Sequence, residues 1–554
     1  MSLFFLADLA PPVWLSLAGP VVALASVACA VLFRGRPFVE LGRGLGELVR
    51  VPASDDGPGP AGEPEPPRGR MPPGLAAGLA SVGGFGAAGL VGAGTAISLG
   101  GAGALPWIWV IALVLVPLRY AEAMLARTPP PGQRGVPGAL ATRLRRDAHL
   151  GLRGLGWALA IGLALAGVVV VGGLHGHAAA EAVDELAPET MPALLGACAL
   201  GAGLLAAWPG RRAAALVVGG LVLAGLAAWL GVALATLVAE PARTLGALGR
   251  ALGEMSAGAP SVDAFVGATA GEIAVGALLA WVPPAAAGAG IVGAAHAEAD
   301  ASSTRRQAAL AGATPLLAAA LVTLIGMGLV GTGAFYRPTP DQRPLRQLTA
   351  WSEPFETPTQ RAEESRRLDG YMRIEAGFAR DLDVELATPR GVIEGRARWL
   401  DRGGLADVAL QVEDGRPTAV LERAPGTRAL ERVPLSRVDD LEIEAEMLPQ
   451  GAGLLLASAA EGAGAPGVRL AVLGLLLWTL AAAVVWGHAI RRSLTGAVPA
   501  ALGAVLAVLP AVGLLLVAFG LGEILAVAAA PLGAFVACLG AAGLALRARQ
   551  AARA

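Results

Sequence analysis

About eleven apolar stretches, most of them long enough to cross a bilayer as they stand, limit what this chain can fold into. They run near 12–33, 74–98, 104–118, 152–174, 190–208, 212–238, 263–295, 308–334, 468–490, 497–520 and 522–546. A hydrocarbon core of about 30 Å takes roughly 20 helical residues. The third stretch reaches that length only by running on into Tyr120–Ala126. Lipid offers nothing to backbone N–H and C=O groups, so each stretch must satisfy its own backbone as a helix. The composition agrees. Charged residues make up 15% of the chain, against about 25% in soluble proteins, and the mean hydropathy is +0.62. The expected class is an all-α polytopic membrane protein.

The net charge of −1 hides an ordered distribution. All 42 basic residues are arginine, a usage that fits an alanine- and glycine-rich, high-GC bacterial genome. Arginines follow the first span (Arg34, Arg36, Arg43, Arg50), the third (Arg127, Arg134, Arg143, Arg145, Arg146), the fifth (Arg211, Arg212), the seventh (Arg305, Arg306) and the ninth (Arg491, Arg492). Arg547 and Arg549 follow the last. With eleven alternating spans these share one side, which the positive-inside rule makes cytoplasmic. The acidic segment Glu181–Glu189 falls opposite; Arg243 and Arg250 are mild exceptions. The N-terminus is then outside and the C-terminus inside, in a bacterial inner membrane. The start lacks a basic n-region and a cleavage site, so the first span is expected to act as its own insertion signal.

Two polar regions interrupt the pattern. Residues 34–73 form the first connection, and 53–73 are too rich in Pro, Gly and acid to bury a core, as in a cytoplasmic flexible linker. Residues 336–464 are expected to form a β-rich extracytoplasmic insertion for an unknown ligand or protein. Leu382/Val384/Leu386, Val408/Leu410/Val412 and Leu441/Ile443/Ala445/Met447 alternate with polar residues, and Asp414-Gly415 signals a hairpin before Val420. Residues 340–370 read as helical or irregular. The membrane part then divides into an extra first helix (1–33), a core in two pieces (74–335 and 465–547) and a short cytoplasmic tail (548–554).

Several residues carry candidate chemistry. The run from Gly83 to Ile97 is broken by glycines, each costing about 0.8–1 kcal/mol in a helix interior relative to alanine. Gly-interrupted spans point to transporter binding sites. Glu272 and Glu523 lie within apolar runs, where a carboxylate is a functional hypothesis by default; Glu272 is the candidate proton-coupling residue, and Glu523 reads as a membrane-edge residue. His175-Gly176-His177 beside Glu181 makes only a weak metal pair. Cys29, Cys198 and Cys538 stand singly and read as inert thiols. No nucleophile triad, phosphate loop or zinc spacing is present, so the chain is not expected to be an enzyme, nor to bind nucleic acid or an organic cofactor.

Gly100-Gly101-Ala102-Gly103-Ala104-Leu105-Pro106-Trp107-Ile108-Trp109 resembles the signature of the alanine/glycine:cation symporter family, with Pro106 and Ile108 in place of Phe and Met. Arg119-Tyr120-Ala121-Glu122 resembles the family's Lys-Tyr-Ala-Glu, and Gly135-Val136-Pro137 its Gly-Gly-Pro. His296, Arg306 and Gln307 fall on shared positions of a second motif, and Thr479 through Gly487 with Leu494-Thr495-Gly496 resemble a third. The resemblance implies a LeuT-type inverted-repeat fold, in which 74–98 and 263–295 are the broken helices, the latter at Pro283-Pro284. It implies cation-coupled symport of alanine or glycine by alternating access. It places substrate near Gly86, Gly89, Gly92, Thr95, Gly288, Gly290 and Thr479, and a coupling ion, Na⁺ or H⁺, near Thr95. The chain departs from the family where Ala88-Gly89-Leu90-Val91-Gly92 lacks an Asn, and where Pro284–Ile291 lacks Ser, Asn and Glu. In the ninth span Ala483 stands at a family Trp. Those losses leave a second expectation open: a transport-incompetent or differently coupled relative acting as a membrane sensor through its outer domain.

Overall fold

The computed structural model describes residues 13–48, 71–128, 139–147, 149–208, 211–257, 291–300, 303–336 and 451–553, together with strand segments between 339 and 447. Most of the 263–295 stretch and nearly all of the 53–73 linker lie outside the described residues, as do Leu382 and Val384.

Among the described residues, the membrane part is helical. Its main helices are α1 (Gly19–Leu32), α2 (Leu41–Leu48), α3 (Pro73–Gly84), α4 (Gly86–Gly100), α5 (Ala104–Arg127), α6 (Leu140–Arg145), α7 (Leu150–Val170) and α8 (His177–Leu186). They continue with α9 (Met191–Ala207), α10 (Arg211–Ala239), α11 (Pro241–Ala257), α12 (Val292–His296), α13 (Thr304–Thr332), α14 (Gly451–Ser493), α15 (Leu509–Leu516) and α16 (Gly522–Arg553). Among the described residues, eight helical runs are long and apolar enough to cross a membrane, or nine with the bent pair Pro73–Gly84 and Gly86–Ser98 counted as one span. The chain is thus a multi-pass membrane protein.

One of the eight, Ala500–Ala548, doubles back. Phe519 and Gly520 leave helical geometry, Gly520 at φ +83°. On the way in, Pro510 packs at Gly167 and Leu514 at Gly176; on the way back, Leu525 packs at Gly173, Val536 at Gly162 and Leu144 at Gly543. Arg547 finally pairs with Asp147 just before α7. The stretch is two antiparallel arms against one helix. Glu523 lies exposed in the first turn after the reversal.

Small residues let the helices approach, since lipid gives no hydrophobic drive for helices to associate. The pairing of α10 with α14 is reciprocal. Trp478 of α14 covers Gly225 of α10 and donates to the Val222 carbonyl at 3.1 Å, while Trp229 of α10 covers Gly474 of α14. A Cβ at Gly474 would lie 2.6 Å from the Trp229 indole. The N-terminal span is fixed from outside the bundle: Trp14 donates to the Ala530 carbonyl at 3.0 Å, and Ser26 donates to the Val114 carbonyl.

The arginine-bearing ends expected on one side do meet. Arg492 in the last turn of α14 pairs with Glu298 after α12, Arg306 of α13 pairs with Glu47 of α2 at 3.3 Å, and Arg547 pairs with Asp147. At the other end α11 folds back onto the α4–α5 turn. Glu254 accepts from the Gly103 N–H at 3.2 Å, and burial pushes its carboxyl upward against the lowering by the Gly103 and Ala102 amides.

The insertion is β-rich, as its alternation suggests. Among the described residues eleven strands run β1 (Thr339–Pro344), β2 (Thr349–Trp351), β3 (Gly370–Glu375), β4 (Phe378–Arg380), β5 (Glu385–Thr388), β6 (Gly391–Asp401), β7 (Gly404–Leu405), β8 (Val408–Glu413), β9 (Arg416–Arg423), β10 (Leu430–Val433) and β11 (Leu441–Met447). One sheet has the order β1-β11-β6-β5-β2, with β7 on β6; the other has β10-β9-β8-β3-β4. β8 and β9 pair antiparallel with Glu413 opposite Arg416, on either side of the expected turn, and Val408, Leu410, Val412 and Val420 are buried. Two expectations need correcting. The 340–370 segment contains β1 and β2, because pairing with β11 and β5 supplies a ladder that its own pattern does not announce. And 451–464, placed in the insertion for its polarity, is helical, since Leu454, Leu455 and Ala459 bury against the membrane helices.

Candidate functional site

The site forms where the second span breaks. Gly83, Gly84 and Gly86 surround Phe85, and Gly86 takes φ +41°, a left-handed conformation that a side chain resists. The halves diverge by 57°. A break inside a membrane frees backbone groups that something must satisfy. Two do so locally, Phe85 N–H to the Ser81 carbonyl at 2.7 Å and Gly89 N–H to the Phe85 carbonyl at 2.6 Å. Distant side chains hold two others.

Trp486 of α14 donates its indole N–H to the Gly83 carbonyl at 2.8 Å. His175 accepts the Ala88 N–H on Nδ1 at 3.4 Å. As an acceptor, Nδ1 carries no proton, which assigns the neutral tautomer protonated on Nε2. His175 sits on a π-turn, Val171–Gly176, between α7 and α8. Single π-turns re-aim side chains and cluster at functional positions. Thr479 of α14 then donates to the His175 carbonyl at 3.0 Å, locking the π-turn to the helix that also carries Trp486. His175, Thr479 and Trp486 are all buried.

On the opposite face of the break lies a small cavity of about 30 Å³, bordered by Ser81, Phe85, Arg119 and Thr314. That exceeds the about 10–15 Å³ a water needs. Arg119 is held by Glu122 at 2.9 Å, and the other Glu122 oxygen accepts the Gly293 N–H at 2.8 Å. Tyr120 donates to Glu40 at 2.9 Å, Arg127 donates to the His296 carbonyl at 3.2 Å, and Gln307 contacts His296 Nδ1 at 2.6 Å. The Arg119–Glu122 motif and the His296/Gln307 positions thus form one latch. It fixes the chain on the far side of 258–290 to α5 and α13.

The expected site residues divide. Gly86 is at the break, and a Cβ there would lie 2.8 Å from the His175 ring. A Cβ at Gly89 would collide with the Phe85 ring. Thr479 joins the cluster through His175. Gly92 and Thr95 lie further along α4, and the Thr95 hydroxyl donates to the Val91 carbonyl of its own helix at 3.0 Å. Near it, Gly451 starts α14 beside the Glu181 carboxylate, which His177 meets at 3.3 Å. The two histidines therefore face different partners, and no three metal-ligating residues gather among the described residues. Gly288, Gly290 and Glu272 lie outside the described residues. The sequence marks His175 only as half of a weak metal pair and Trp486 only as part of a motif; neither is expected at the break. An ionisable ring deep in an apolar run was the available signal for His175.

Trp486→Phe is expected to lower stability by about 1–3 kcal/mol, the cost of leaving a buried carbonyl without its donor. Thermal unfolding of the detergent-solubilised protein reads this out. An unchanged Tm would mean that water already serves Gly83.

No protein-family model matches the chain, and no curated protein matches it.

Proposed function

We propose that the chain is a secondary transporter that moves a small solute by alternating access, on a LeuT-type scaffold of eleven spans. The count follows if the two arms of 500–548 are taken separately and 263–295 forms the seventh span. The observation that carries the reading is the break at Gly83–Ala88. A long apolar helix is interrupted where interruption is costly, and two other helices contribute buried polar groups to hold the exposed backbone. Such breaks in transporters bring unpaired amides and carbonyls to a solute near the bilayer midplane. With the motif resemblance, the substrate class is a small neutral amino acid, alanine or glycine, with Na⁺ or H⁺ as coupling ion. Glu272 is the proton-coupling candidate. The membrane is a bacterial inner membrane, with the N-terminus outside and the C-terminus in the cytoplasm.

A second reading has its own support. His175 and Trp486 occupy groups that a solute would otherwise take, and the outer β-domain runs, within a few residues of Met447, into the helical piece 451–463 lying on α4. A platform that transmits binding at the domain to the broken helix would be built this way.

Uptake of radiolabelled alanine and glycine into proteoliposomes separates the two. Under the transporter reading a Na⁺ gradient, or a proton gradient in a Glu272-dependent manner, drives accumulation at least several-fold above empty vesicles. Absence of uptake under both gradients, from protein with a sharp unfolding transition, rejects amino acid transport and leaves the platform.

A further inference from the structure

The bundle holds a second, larger cavity, of about 240 Å³, at the arginine-bearing end. Its inner wall is apolar, with Leu79 of α3, Val218 of α10 and Val484 and Val485 of α14. Its rim carries Arg146, Arg491, Arg492 and His488. Glu298 is the one carboxylate among its described lining residues, and Arg492 pairs with it. The described lining thus sets three guanidiniums and one carboxylate around an apolar floor. In a recess of low dielectric that focuses field, such a rim attracts anions far more strongly than the same charges on an open surface.

The cationic heads are positioned by the fold. Arg146 follows α6, and its guanidinium lies against Gly496, where a Cβ would come within 2.9 Å of it. Gly496 has φ +74°, so the loop after α14 both turns there and leaves space for the arginine. Thr142, also on the lining, donates to the Arg492 carbonyl at 2.8 Å, tying α6 to the end of α14. Two separate chain segments thus present arginines to one recess.

We infer that this recess binds a small organic anion, a carboxylate or phosphate head on a short apolar body. The head meets Arg146 and Arg491 at the rim, and the body lies on Leu79, Val484 and Val485. The volume is below the roughly 300–1,000 Å³ of drug-sized pockets, which fits a small ligand. A zwitterion gains less here than a pure anion, because the wall's described carboxylate is already engaged by Arg492. The same head chemistry is offered by a soluble short-chain acid and by an anionic lipid headgroup. Val485 touches the Gly83 position, so an occupant abuts the arginine-side half of the broken span. The site stands on the cavity alone and does not depend on the transporter reading.

Hexanoate, with hexanol as neutral control, tests the site by calorimetric titration of the full chain in nanodiscs of phosphatidylcholine. Hexanoate is expected to bind saturably and hexanol not. Arg491→Gln should weaken hexanoate at least tenfold, whereas Glu298→Gln should tighten it several-fold by removing the negative charge from the recess wall. Opposite shifts from two neighbouring substitutions cannot come from misfolding. If hexanoate fails but phosphatidylglycerol raises the Tm in an Arg491-dependent way, the head chemistry stands and lipid is its source. Equal binding of hexanoate and hexanol, or no effect of Arg491→Gln on either anion, overturns the inference. Hexanoate binding in protein that takes up no amino acid would retain this site and reject the transporter reading; alanine uptake without anion binding would do the reverse.

Discussion

Glu122→Leu is expected to cost about 3–5 kcal/mol, the penalty for removing one partner of a buried ion pair. The pair is nearly sealed, with 7% of the Arg119 side chain and 2% of the Glu122 side chain exposed. Glu122 also accepts the Gly293 N–H, so the substitution removes that amide's acceptor as well as the carboxylate beside Arg119. Whole-protein stabilities are commonly about 5–15 kcal/mol, and the variant should lose most of its monodisperse peak after detergent extraction. The double variant Arg119→Leu/Glu122→Leu should recover a large part of the loss, because a buried pair replaced by apolar residues is often nearly neutral. Equal instability of the single and double variants would show that the Gly293 contact, and not the charge, dominates.

Gly86→Val is expected to be nearly as damaging, for two separable reasons. A left-handed residue with a Cβ costs roughly 1–2 kcal/mol. The new Cβ also meets the His175 ring at 2.8 Å, and overpacking of this kind costs about 1–3 kcal/mol. The ring has little freedom to retreat, since its own residue is held by Thr479 and by Ala88. Adding His175→Ala to Gly86→Val should return the overpacking share but not the backbone share, so the Tm recovers in part. Full recovery would mean that the left-handed conformation at Gly86 is not strained, and no recovery that the ring was never in the way.

Trp486→Phe probes the same break from the other side and carries a smaller expected loss, because one neutral hydrogen bond is removed and most of the ring's packing volume is kept. The three substitutions therefore rank by what they leave buried: a charge, a clash, and a single carbonyl.

What the chain would become was largely written in local pattern. Length of apolar run fixed the spans, because in lipid a backbone with no other partner must coil on itself. The glycine-rich run from Gly83 to Ile97 marked the second span as one of two expected to break, since glycine's conformational freedom acts within a turn or two of its position. Alternation about Asp414-Gly415 marked the hairpin for the same reason: its partners are adjacent in sequence. Local pattern failed at 340–351, where strands exist only because β11 and β5 lie beside them, and at 451–464, where a glycine-rich stretch is held as a helix by what its leucines pack on.

The site was legible in part. Gly86 and Thr479 were placed near it by resemblance, and both belong to the cluster; Thr95, equally plausible from its position, turns its hydroxyl onto its own helix. The partners that define the cluster were beyond reach of any local reading. Trp486 meets Gly83 across 403 residues of sequence, and Thr479 meets His175 across 304. The sequence by itself determined that this is a membrane bundle with a broken second span and a β-rich insertion, because chain length, hydrophobicity and glycine act over a few residues. Only the tertiary structure decided which side chains hold that break and which arginines share a recess, because a buried hydrogen bond or a common cavity is set by how distant helices pack.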